Sequence, residues 1–124
     1  MKIISTKDAP AALGPYSQGV LSNGFLFTSG QIAMNVNGEF LDGGIALETN
    51  QVLINLKAIL KEADLTLSDV VKANIFLVNM DNFDVVNRIY EKFMGEHRPA
   101  RSTIGVASLP KNANIEIEFI AKKR

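Results

Sequence analysis

The sequence has no cysteine, no tryptophan and a single histidine. Without cysteine there is neither a disulfide framework nor a thiolate metal site, and a reducing compartment, the cytoplasm, is the expected setting. One histidine cannot supply a zinc or iron cluster, and no acid partner stands at a telling spacing from it for a nucleophilic triad. His97 is expected to be a solvent-exposed loop residue. An excess of one charge is also missing. Thirteen Lys and Arg balance thirteen Asp and Glu, for a net charge of zero. Polyanion binders carry a basic face, so nucleic acid is not an expected partner. The basic run Lys122-Lys123-Arg124 reads as a solvated tail. No apolar run approaches the roughly 20 residues of a membrane span. The start, MKIISTKDAP, has no apolar stretch before a cleavage-like site, so no signal peptide is expected. No Walker-type phosphate loop is present.

What is there reads as one domain over residues 1–124, with 47% hydrophobic and 21% charged residues. A short strand is expected at residues 3–4. SQGVLSNGFLFTSGQIA reads as a hairpin turned by Asn23-Gly24, a pair suited to positive φ at both central positions. Strand alternation then puts Phe25, Phe27 and Ser29 on one side and Leu26, Thr28 and Gly30 on the other. NVNGEFLDGG reads as loop. The stripe Val52, Leu53, Leu56, Ile59, Leu60 and Ala63 predicts a helix from Ile45 to Ala63. The β-branched run DVVKANIFLV predicts a strand from Val70 to Val78. A second helix is expected from Asp81 as N-cap, with Asp84 in the first turn and Phe83, Val86, Tyr90 and Phe93 inward. Pro99 blocks its continuation. STIGVAS and NIEIEFIA read as the last two strands, joined by a loop around Leu109-Pro110.

Two helices on a sheet of about five strands make an α+β domain. The helices cover one face only. Yet the Val70–Val78 strand is apolar on both sides, with Val71, Ala73, Ile75 and Leu77 on one and Phe76 and Val78 on the other. A second copy of the chain is the economical cover for the other face.

Candidate chemistry concentrates near the C-terminus. In IEIEFIA, Glu116 and Glu118 share one side of a strand, about 7 Å apart at Cα. Such a pair is ordinary on a solvent face or an edge. In a partly enclosed cleft, one of them could hold or deprotonate a water. Arg101, after Arg98-Pro99-Ala100, is either a surface cation or a guanidinium fork fixed to take a carboxylate. Asn87 lies beside the apolar stripe of the second helix, and Ser29 and Tyr16 lie near the hairpin. Each is either a hydrogen-bonded structural group or a cleft-lining one.

These residues occur in a pattern. GPYSQ, SGQI, VVKANIFLVNMDNFDVVNRIYEKF, PARS followed by LPK, and IEIE stand in the order and spacing of the YjgF/RidA family, also called the endoribonuclease L-PSP family. The chain resembles that family over nearly its whole length. The resemblance implies a chorismate-mutase-like α+β fold with a mixed sheet of five to six strands. It also implies a homotrimer whose sheets form an inner barrel, with active sites between subunits. The implied activity is hydrolysis of 2-iminobutanoate and 2-iminopropanoate, or their enamines such as 2-aminoacrylate, to 2-keto acids and ammonia, with no cofactor and no metal. By the same resemblance Arg101 would bind the substrate carboxylate and Glu116 would position and activate water. Tyr16, Ser29, Gly30 and Asn87 would line the cleft, and Glu118 has no implied catalytic role. Two positions depart from the family pattern. Thr103 replaces a frequent cysteine and keeps a hydrogen-bonding hydroxyl; Gly105 replaces a frequent glutamate and loosens the strand. Alternative activities are endoribonuclease or translation inhibitor, and a non-catalytic module binding a keto acid or amino acid. A holdase-type chaperone is neither supported nor opposed by the sequence.

Overall fold

Asn23 and Gly24 both take positive φ (52° and 80°), the backbone of a tight primed turn, and they join the first long pair of strands. The computed structural model describes residues 1–124. Its strands are β1 (Lys2–Ile4), β2 (Gly19–Ser22), β3 (Phe25–Thr28), β4 (Val70–Leu77), β5 (Ala100–Gly105) and β6 (Ile115–Lys122). Its helices are α1 (Ile45–Glu62) and α2 (Phe83–Met94). The six strands form one mixed sheet in the order β1-β2-β3-β6-β4-β5. Every neighbouring pair is antiparallel except β4 and β5, which are joined by α2 and run parallel.

The core lies between the helices and one face of this sheet. Val52, Leu53, Leu56, Ile59 and Leu60 of α1 are wholly buried against Leu26, Ile117 and Phe119 and their neighbours. The predicted stripe is therefore the buried one, and the helix extends one residue less than expected. Buried polar groups fix how α1 meets the sheet. The Glu48 carboxylate, wholly buried, accepts from the Asn114 backbone N–H at 2.9 Å and from its Nδ2 at 2.5 Å. Asn55 donates to the Met34 carbonyl at 2.9 Å.

Three expectations are corrected. Val71 is exposed rather than core-facing, because the β4–β6 register shifts between Val70 and Lys72. This bulge puts Val70 and Ala73 on the helix side and turns Val71 away. The second helix does not begin on Asp81. A 3₁₀ turn, Met80–Asn82, comes first, and the Asn79 side chain caps it by accepting from the Asp81 N–H. His97 is half-buried, not a free loop residue, and its Nε2 lies 2.7 Å from the Val70 carbonyl. It ties the segment after α2 to the start of β4.

The other face of the sheet has no helix over it. Ile3, Phe27 and Ile104 on that side are 60%, 46% and 48% exposed. Between them runs a polar row, in which Asn74 Nδ2 donates to Glu118 Oε1 at 3.2 Å and Lys72 Nζ donates to Ser102 Oγ at 3.1 Å. No helix is long and apolar enough to cross a membrane.

Candidate active site

Glu116 sits at the start of β6, paired with Phe76 of β4. Its neighbours Ile115 and Ile117 are wholly buried on the helix side, so alternation turns the carboxylate to the open face. There it lines a cleft of about 530 Å³ together with Tyr16, Ser29, Gly30 and Lys111. Gly30 is required by close approach. A Cβ built on it would stand 2.6 Å from Glu116 Oε2 and 2.7 Å from the carboxyl carbon. The carboxylate thus rests directly on the Gly30 backbone, as only glycine permits. Burial raises the Glu116 pKa above the ordinary carboxylate value, and the charge of Glu118, two residues along the same face, raises it further.

The opposite wall of the cleft depends on a residue that composition did not single out. Gln18 is buried, and its Oε1 accepts from the Thr6 N–H at 2.6 Å. Its Nε2 donates to the carbonyls of Thr6 and Pro10 at 3.0 and 2.9 Å. The side chain thereby folds the segment 6–10 beside Tyr16. The signal available in the sequence was GPYSQG, a run of polar and turn residues just before a strand. Ser29 also has structural work within the protomer, because its hydroxyl donates to the Ser17 carbonyl at 2.5 Å. Tyr16 is 55% exposed at the rim.

Arg101 belongs to a different place. It is the second residue of β5 and pairs with Ala73, which pairs in turn with Phe119. Ala73 and Phe119 both face the core, so Arg101 points to the helix side, away from Glu116. Its guanidinium carbon lies 5.0 Å from the Tyr90 ring centroid and 5.7 Å from that of Phe83. Both rings come from α2 and hold the guanidinium by cation–π attraction. Arg101 joins neither of the chain's two ion pairs. With Asn87, Tyr90, Glu91, Arg98 and Pro99 it lines a second cleft, of about 230 Å³. Thr103 follows on the same side, paired with Ile75, and its buried hydroxyl has no partner. At Gly105 an added Cβ would meet Met80 Cγ at 3.2 Å, so this departure from the family pattern makes room for a flexible side chain.

One protomer therefore divides the candidate residues into two groups on opposite faces of the sheet. Tyr16, Ser29, Gly30 and Glu116 form a carboxylate cleft. Asn87 and Arg101 line a cationic one, and Thr103 lies on the same face of the sheet as Arg101. The first can hold a water beside a base, and the second can bind an anion. The first has no guanidinium, and in the second the one carboxylate, Glu91, is paired with Arg98. No three His, Asp or Glu side chains gather as metal ligands would.

Comparisons with known proteins match nearly the whole chain. The family model described as Endoribonuclease L-PSP matches residues 6–123. The AldR protein of Lactococcus lactis, described as a proposed regulator, is 53% identical over 98% of both chains. The 2-iminobutanoate/2-iminopropanoate deaminase of Escherichia coli is 44% identical over 99% of this chain and 98% of its own. Among solved structures, E. coli TdcF with bound serine superposes with a TM-score of 0.95 at 39% identity, covering both chains completely.

Proposed function

The chain belongs to the endoribonuclease L-PSP family, which includes the YjgF/RidA proteins, and on that premise we propose that it hydrolyses 2-imino acids. The substrates are 2-iminobutanoate, 2-iminopropanoate and their enamine tautomers, and the products are 2-keto acids and ammonia. The observation that carries this reading is the Glu116 carboxylate, set on Gly30 in a cleft beside Tyr16 and Ser29, with its pKa raised by burial.

Substrate binds through its carboxylate to the fork of Arg101, with Asn87 beside it. That grip fixes which face of the C=N bond is presented. Glu116 orients a water toward the imine carbon and accepts a proton as the carbon–oxygen bond forms. The resulting carbinolamine has one hydroxyl and one amino group on that carbon. Protonation of the amine and loss of the hydroxyl proton break the carbon–nitrogen bond. The balance is one imine and one water in, one ketone and one ammonia out. Thr103, Ser29 or backbone groups stabilise the developing amine.

The two clefts join only when a second copy brings its Glu116 cleft against the Arg101 cleft of the first. The exposed apolar residues of the uncovered sheet face support such an assembly, and a closed ring of three copies is the arrangement the family resemblance implies. The test couples threonine dehydratase to this protein and traps residual imine with semicarbazide. The protein is expected to release keto acid faster than the trap captures imine. Arg101→Ala should abolish that effect while the protein stays folded; wild-type rates in this variant would overturn the assignment.

The likeness to AldR favours a second reading, in which the same cleft binds a keto acid or amino acid for a regulatory purpose. That reading predicts calorimetric binding of 2-ketobutanoate with no imine turnover.

A further inference from the structure

Tyr90 is the most deeply buried polar residue of the Arg101 cleft and takes no part in the mechanism above. It is 7% exposed, and its hydroxyl oxygen is buried without a hydrogen-bond partner. Buried hydroxyls are normally paired, and an unpaired one destabilises the fold. Packing alone would be served by phenylalanine. The ring has a clear use, since it carries the Arg101 guanidinium at 5.0 Å. The hydroxyl has none within the protomer.

Its surroundings are those of an anion site. Tyr90 stands one helical turn from Asn87 on α2, and both line the cleft with Arg101. Arg98 stands at the same cleft and is engaged by Glu91 at 3.7 Å and by the carbonyls of Gly95 and His97. Burial raises the Tyr90 pKa, which Arg101 and then Arg98 partly offset, so the phenol stays protonated at neutral pH and can donate.

We propose that the Tyr90 hydroxyl is a donor of the carboxylate site, reaching an oxygen of the anion that Arg101 grips. This rests on the reading of Arg101 as the carboxylate ligand. Closing the guanidinium fork on a carboxylate draws an anionic oxygen toward the hydroxyl. One carboxylate then takes the Arg101 fork and the Tyr90 hydroxyl together. The hydroxyl that has no partner within the protomer is thereby paired in the complex.

The test is Tyr90→Phe, which keeps the ring under Arg101 and removes only the hydroxyl. Two measurements are made on the full-length protein: calorimetric affinity for 2-ketobutanoate and the melting temperature without ligand. The proposal expects affinity to fall on the order of tenfold, and KM for the imino acid to rise with it. The melting temperature should hold or rise, because an unpaired buried hydroxyl has been removed. A tyrosine serving only the fold would show unchanged affinity, and that result overturns the proposal. A drop in melting temperature together with unchanged affinity overturns it equally. Failure of the underlying reading looks different. Wild-type protein would then neither deaminate imines nor bind the keto acid, whereas failure of this inference alone leaves wild type active and Tyr90→Phe indistinguishable from it.

Discussion

Glu116 and Gly30 act as one unit, because the carboxylate occupies the space a side chain at position 30 would need. Gly30→Ala is expected to push the carboxylate off its seat and lower kcat roughly tenfold or more, since a displaced base no longer aligns water with the imine carbon. Melting curves should show the variant folded. Glu116→Gln should lower kcat by about a hundredfold or more while leaving keto-acid binding intact. The pH profile carries a separate prediction. Burial, and then the charge of Glu118, raises the Glu116 pKa, so its ionised form gathers at higher pH than that of an ordinary carboxylate. The acid limb of kcat/KM should sit there. Glu118→Gln removes the neighbouring charge and should shift that limb to lower pH; a shift to higher pH would contradict the assignment. At this scale the sequence was partly legible. Residue types and motif order marked Arg101, Glu116 and Gly30. The burial of Gln18, the Ser29–Ser17 bond and the unpaired Tyr90 hydroxyl depend on contacts between segments distant in the chain, and no local pattern encodes them.

Among the elements, the periodic ones were readable and their junctions were not. The stripe of α1 and the Asn23-Gly24 turn follow from spacing and from φ preference. The bulge at Val71 does not, because an inserted residue leaves composition unchanged while reversing alternation. The start of α2 was misplaced for a similar reason. Asn79 and Asp81 are both good caps, and the 3₁₀ turn uses the earlier one. The junction with most consequence is that between Glu48 of α1 and Asn114, immediately before β6. It anchors the residue two before Glu116 to α1. Glu48→Ala would leave the Asn114 N–H buried without its acceptor and is expected to cost about 3 kcal/mol in urea denaturation. A loss below about 0.5 kcal/mol would show that the junction is replaceable.

For the whole molecule, the central fact is topological. The register β6–β4–β5 sends Glu116 to the open face and Arg101 to the helix face. The proposed site, which uses both, therefore draws on a second copy. The sequence pointed to an uncovered face through a strand apolar on both sides, but which candidate groups fall on which face required the register. Mixed assemblies test this most directly. Arg101→Ala and Glu116→Gln are each expected to be inactive alone. Co-expressed in equal amounts, they should regain about a quarter of wild-type activity. A shared site needs its arginine from one variant and its glutamate from the other, and random assortment supplies that pair at one junction in four, whatever the size of the ring. Recovery near that level is what the account predicts. Mixed assemblies as inactive as either variant alone would mean that Arg101 and Glu116 do not meet across a boundary between copies.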